Sequence, residues 1–228
     1  MFVCNAALLG EICDQTRFRK CVTGPVVEIR YSVHDSLFSA YDNEPSWGIA
    51  HRIMAPLLTG TSVESLFDDM RGCTSDLITK WTSNSNQRVL VTNDLDRMGL
   101  ISVTQCFFHQ RIHALEGPEP PMIKAMDGAT LEAMKRPTRP GFINTLFFQR
   151  RFERDTKTMR KYAAAVVAKR KAEPTDRKDM LFALLEGKDP QTGESLNYER
   201  VIDEIVTIYI GASTAPNLVS FADRRAHV

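Results

Sequence analysis

The chain has 228 residues, 43% of them hydrophobic and 25% charged, the profile of an ordinary globular protein of one large or two small domains. Its formal net charge of +1 excludes a protein drawn to nucleic acid or anionic membrane by bulk electrostatics. Five cysteines, an odd count with no C-x-x-C pair, argue against a disulfide framework or zinc cluster and for a reducing, cytoplasmic setting.

The opening Met1 to Glu11 is mostly apolar but has no basic n-region, so it does not read as a signal peptide. No apolar run approaches the roughly 20 residues that span a bilayer. Residues 7–19 have apolar positions at helical spacing, and Thr23-Gly24-Pro25 breaks the pattern. V-V-E-I-R-Y-S-V, within Pro25 to Leu37, alternates like a short strand or extended loop. Asp42 to Ser46 reads as a helix start and Trp47 to Leu58 as its body.

A helix is predicted over Ser62 to Trp81, with Val63, Leu66, Phe67, Met70, Leu77 and Ile78 on one stripe. Ser83 to Asn86 is a loop and Arg88 to Val91 a short strand. Asn93 opens a helix through about Phe108, which Gly117 to Pro121 follows as a stop. Met122 to Met134 is helical, Pro137 and Pro140 interrupt, and Phe142 to Lys171 is a long helical stretch. Asp179 to Leu185 is a short helix, Gly187 to Ser195 a turn-rich connection, and Asn197 caps a final helix. The reading is mainly α with minor β.

Lys135 to Lys171 carries twelve Lys/Arg against Glu153 and Asp155. It is either a binder of nucleic acid or anionic lipid or the solvated side of a long helix with Phe147, Phe148, Phe152, Met159 and Tyr162 turned inward. The balanced charge elsewhere and the lack of a stacking platform favour the solvated face, so no nucleic-acid partner is assigned. His109 and His113, four apart, would share a helix face, but Gln110 stands where H-E-x-x-H zinc hydrolases need glutamate, and no metal ligand is assigned.

Gly211-Ala212-Ser213-Thr214-Ala215 approximates a G-x-S-x-G nucleophile elbow. Ala215 replaces the last glycine, only Asp223 and His227 follow, and Val201, Ile202, Ile205, Val206, Tyr209 and Ile210 recur at helical spacing. The segment is therefore a helix with a weak point. Gly211 permits close approach of a flat ligand, Pro216 frees a carbonyl one turn earlier, and Thr214 offers a hydroxyl there. A proline-kinked core helix with no ligand fits these residues equally well.

Four segments together resemble the cytochrome P-450 heme-thiolate monooxygenases, most closely the fatty-acid hydroxylases of bacteria and fungi fused to a diflavin reductase. They are Cys13 to Lys20 (C-D-Q-T-R-F-R-K), Asp35 to Pro56 (D-S-L-F-S-A-Y-D-N-E-P-S-W-G-I-A-H-R-I-M-A-P), Gly187 to Leu196 (G-K-D-P-Q-T-G-E-S-L) and Gly211 to Ala222 (G-A-S-T-A-P-N-L-V-S-F-A). The resemblance implies a partial P-450 domain over residues 1–222, lacking the N-terminal sheet and the C-terminal heme-ligand half, with 223–228 a tail outside the family pattern. It further implies heme as cofactor, dioxygen, a small apolar substrate such as a fatty acid, and electrons from NADPH through an FAD/FMN reductase domain or protein.

By the same resemblance, Trp47 and His51 match W-x-x-x-[R/H] and bind a heme propionate, an indole N–H and an imidazole being able to donate to one carboxylate. Phe38, and with it Tyr209, contacts substrate. Gly211, Ser213 and Thr214 fall in the oxygen-binding groove, with Gly211 against the heme and Thr214 as the proton-handling hydroxyl. Ser213 stands where the family usually has an acid, and the arm before Gly211 is one residue shorter than in close relatives. The E-x-x-R helix and the cysteine loop of the family are not found in the sequence. The resemblance thus leads to the expectation of a truncated, inactive fragment. A non-catalytic helical remnant or partner-binding module is the alternative.

Overall fold

The computed structural model describes residues 5–14, 16–83 and 91–211, and every regular element among them is a helix. In chain order these are α1 (Ala6–Ile12), α2 (Pro25–Val33), α3 (Pro45–Met54), a 3-10 turn (Ala55–Leu58), α4 (Gly60–Glu64), α5 (Phe67–Ser83) and α6 (Val91–Phe108). There follow α7 (Pro121–Lys135), a 3-10 turn (Arg136–Thr138), α8 (Gly141–Ile143), a π-helical segment (Asn144–Phe148), α9 (Gln149–Ala172) and α10 (Met180–Glu186). The last helix, α11, runs over 198–211. The mainly α expectation is borne out.

Proline opens α2, α3 and α7, because its ring pre-sets a helical φ and a first turn has no use for its missing N–H. Pro25 corrects the strand expected within residues 25–37. Gly24, at φ +57°, turns the chain into a helix that buries Ile29, Ser32 and Val33. The alternating β-branched residues satisfy this short amphipathic helix, and no strand among the described residues offers them a ladder. Most of the strand expected at Arg88 to Val91 lies outside the described residues, and Val91 itself begins α6.

The stripe expected on Ser62 to Trp81 is also corrected. A break at Ser65 and Leu66 separates α4 from α5, and Phe67 and Ile78 are 64% and 56% exposed. Of the expected stripe Leu77 is buried, and the other buried position of α5 is Cys73, which lay outside it. The continuation of that face is polar, and it is held to α6 by bonds from Lys80 and Trp81 to Asp94 at 2.5 and 2.8 Å.

The core is one cluster to which α6, α7, α9, α10 and α11 each contribute a helical stripe. Met122, Met126, Ala129 and Ala133 of α7 meet Phe152, Met159, Ala163 and Val167 of α9. Gly128 lets α7 approach Asp155 of α9 so closely that a β-carbon there would collide with the carboxylate. Arg170, at the far end of this face of α9, donates to both oxygens of Asp179 at 3.0 and 2.5 Å and to the Phe108 carbonyl at 2.9 Å. Asp179 also caps α10 by accepting from Phe182 N at 2.9 Å.

One pair therefore joins the ends of α6, α9 and α10. Asp179→Ala strands a buried guanidinium and uncaps α10. It is expected to lower unfolding stability by about 3 kcal/mol or more in urea denaturation, with the change in the midpoint rather than the slope. A loss under about 0.5 kcal/mol would place this pair among surface ion pairs.

Candidate functional site

Helix α11 starts as expected, with the Asn197 side chain accepting from Arg200 N at 3.0 Å. From there its buried positions include Val201, Ile202, Ile205, Val206, Tyr209 and Ile210, but also Asp203 and Glu204. The acids are tolerable in that setting because each has partners. Asp203 is paired with Arg160 of α9 and with His34 Nδ1 at 3.0 Å. Glu204 accepts the Leu37 N–H on its two oxygens at 3.0 and 3.1 Å, with Arg200 at 3.6 Å. Burial pushes the Glu204 carboxyl up to about 7, against the opposing pull of the Leu37 N–H and Arg200.

Thr207, the next polar residue along this side, donates to Ser36 Oγ at 2.7 Å. Three contacts from two successive turns thus fasten α11 to residues 34–37. The same segment is held elsewhere by Lys20 Nζ on the Leu37 carbonyl and Arg30 on the Ser39 carbonyl, both at 2.7 Å. Desolvation holds the Lys20 ammonium below its ordinary range despite nearby Glu204 and Glu44.

Beside this fastening lies an open cavity of about 750 Å³. Ile29 and Val33 of α2, Leu37 and Phe38 of the turn, Met54 at the end of α3, Leu58 beyond it, Phe107, Thr130 and Met180 form its walls with Thr207, Ile208, Ile210 and Gly211 of α11. The lining is almost wholly apolar, as a ligand site for a hydrophobic molecule requires. Among the described residues, a β-carbon on Gly211 would meet nothing within 4 Å.

Among the residues singled out from sequence, Phe38 and Gly211 therefore meet in one cavity. Ser213 and Thr214 lie outside the described residues. Tyr209 is absent from the lining. Its hydroxyl is bonded to Thr104 Oγ1 at 2.9 Å, and its ring packs edge-on against Phe108 and Tyr162. The helical period turns residue 209 into the α6–α9 core while 207, 208 and 211 face the cavity.

Trp47 and His51 stack on α3 with ring centroids 4.8 Å apart and 20° between planes. Both are half-buried, one helical turn apart, on the helix whose end supplies Met54 to the cavity. Sequence reasoning missed Lys20, which lines a second pocket of about 270 Å³ with Phe18, Arg19, Asp42 and Trp47. Its signal was a lone lysine within the first resembling segment.

None of the described cysteines lines the large cavity. Cys73 and Cys106 are buried, and burial pushes the Cys106 thiol up to about 12. The basic run is accounted for in part by internal pairs: Arg136 with Glu28, Arg139 with Glu132, Arg160 with Asp203 and Arg170 with Asp179. Phe152 and Met159 are turned inward as expected, whereas Phe147 is 68% exposed. His109 and His113 lie beyond the end of α6, and His109 Nδ1 faces Arg177 at 2.7 Å.

A sequence model of the cytochrome P450 family matches residues 1–215. The chain is 35% identical over 228 residues to a bifunctional cytochrome P450/NADPH–P450 reductase of Fusarium oxysporum, covering 97% of this chain and 21% of that protein. It is 34% identical over 220 residues to a protein of the same description from Aspergillus oryzae, covering 94% and 20%. A self-sufficient cytochrome P450 monooxygenase of Phanerodontia chrysosporium is 33% identical over 227 residues, covering 97% and 22%. The chain spans about a fifth of the length of these relatives.

Glu204 generates a pH prediction whose sign is fixed by its raised pKa. Between its ordinary value of 4.5 and about 7, the folded chain keeps a proton that the unfolded chain releases. The residue's stabilising contribution is present below that range and is lost as pH rises through about 7. Glu204→Gln is therefore expected to gain in melting temperature relative to the parent on going from about pH 5 to about pH 8. A difference that does not vary with pH would refute the raised pKa.

Proposed function

The chain belongs to the cytochrome P450 family, and on that premise we propose that its cavity holds a small apolar substrate beside a heme, for monooxygenation. The observation that carries the reading is the meeting of Phe38 and Gly211, distant in sequence, in one apolar cavity on α11. The chemistry a bound heme supplies is activation of dioxygen with electrons delivered by a reductase.

The residues present fit such a group. A flat apolar face needs an apolar wall with little side-chain bulk, which the cavity lining with Gly211 supplies. Carboxylate edges need N–H donors, and the stacked Trp47 and His51, with Lys20 sharing the pocket of Trp47, are the candidates. Phe38 restricts how the end of an apolar chain approaches. Thr214 Oγ1 is the hydroxyl assigned to hold water and pass on a proton, with Ser213 beside it. Exclusion of bulk water from the apolar cavity strengthens such polar contacts.

The finer parts of the reading rest on likeness. The relatives named as P450/NADPH–P450 reductases support a reductase with FAD and FMN as the source of electrons. A fatty acid suits the apolar lining, and residues 1–222 are taken as the P450 region. A reducing, cytoplasmic setting agrees with the free Cys13, Cys21, Cys73 and Cys106. No helix among the described residues is long and apolar enough to cross a membrane.

Hemin titration followed by tryptophan fluorescence tests the assignment without requiring turnover. The chain is expected to bind hemin saturably. Trp47→Phe and His51→Ala, which each remove a donor, should weaken binding by about threefold to tenfold. Affinities unchanged in both variants would remove these residues from the site. Absence of saturable binding would remove heme from the reading of this chain.

A further inference from the structure

We propose that Glu204 is a positioning residue for apolar ligands: its carboxylate holds the turn that carries Phe38 and thereby sets the mouth of the large cavity. The inference rests on the reading of that cavity as a ligand site. Glu204 is itself absent from the lining, so it acts through Leu37 and Phe38, which are present in it.

The geometry gives the carboxylate a specific hold. Its side chain is fully buried, and both oxygens accept the one backbone N–H of Leu37, the residue immediately before Phe38. Thr207, one turn along α11, holds Ser36 while also lining the cavity. A shift of the turn therefore moves a cavity wall, with Phe38 as its most exposed aromatic part at 48%. A surface carboxylate would hold such a turn weakly, since water competes for the N–H. Within the protein the same bond is stronger and its loss leaves a buried donor unsatisfied.

Ionisation decides the strength of the hold. The carboxylate offers acceptor lone pairs on both oxygens, whereas the acid turns one oxygen into a donor that the Leu37 N–H cannot use. The surrounding charges are all engaged. Arg200 and Asp203 flank Glu204 on α11, and Asp203 is paired with Arg160 and His34. Asp35 in the turn is paired with Arg200 at 2.9 Å, Lys20 donates to Leu37 O, and Arg30 pairs with Glu44 at 2.8 Å while donating to Ser39 O. Burial pushes the carboxyl up to about 7, outweighing the pull of the Leu37 N–H and Arg200. Deprotonation then tightens the turn around a bound ligand.

The test is equilibrium binding of Nile red, an uncharged apolar fluorophore, to the 228-residue chain between about pH 6 and pH 8, with melting curves as a control for folding. The parent is expected to bind about threefold to tenfold more tightly at the higher pH. Glu204→Gln, which keeps the shape but cannot ionise, should bind with the weaker affinity at every pH. Phe38→Ala should also be insensitive to pH, and adding Glu204→Gln to it should change nothing further. A merely structural glutamate would not show that dependence on Phe38.

Persistence of the parental pH dependence in folded Glu204→Gln overturns the proposal, as does an undiminished effect of Glu204→Gln in the Phe38→Ala background. Should Glu204→Gln not fold, the pH series of the parent and of Phe38→Ala decides alone: a flat parent, or an unaltered slope in Phe38→Ala, overturns it. Failure of the parent to bind the dye saturably overturns both this inference and the cavity reading on which it rests. Saturable binding without any role for Glu204 overturns the inference alone.

Discussion

The packing depends on the burial of two adjacent acids on a helix that is otherwise largely apolar. An unpaired carboxylate in such a place would be untenable, so α9, the end of α2 and the turn beyond it supply partners. Asp203 draws in Arg160 of α9 and the end of α2 at His34. Glu204 draws in the backbone of the turn beyond α2. The tyrosine on the other side of the helix finds Thr104 of α6. Helix α11 thus has its rotation fixed by polar partners on two faces, and its apolar residues have one way to pack.

Arginine does the corresponding work at greater range. Arg136, Arg160 and Arg170 each join α9 or its approach to a different neighbour, through Glu28, Asp203 and Asp179. A guanidinium suits this role because it can meet a carboxylate and a backbone carbonyl at once, as Arg170 does with Asp179 and Phe108. The long basic stretch is therefore partly an internal framework. The cavity sits where this framework leaves apolar side chains from several helices without a filler between them.

Much of the helix order was legible in the sequence because helix starts have local chemistry. Pro45, Pro121, Asp179 and Asn197 each mark a boundary through their own backbone or side chain. Gly211 was legible as a weak point in an apolar helix and Phe38 only through the family pattern, and the cavity that unites them follows from the tertiary fold. Residues 26–33 misled because alternation over a few residues cannot separate a strand from a short helix burying one edge. The α5 stripe misled because apolar spacing does not say which face meets a neighbour. Asp203 and Glu204 were not singled out, because nothing local indicates that their partners come from α9 and the turn after α2.

His34, which ends α2, has φ +46°, a left-handed conformation in which a side chain with a β-carbon is uncommon. A residue held there stores strain of the order of 1 kcal/mol. Asp203 supplies the restraint by engaging its ring. The segment leading to Phe38 is thus a loaded spring, and relaxation at His34 would pull against the bonds on Leu37 and Ser36. A change at any one of these restraints is therefore felt by the others, whereas a slack loop would absorb it.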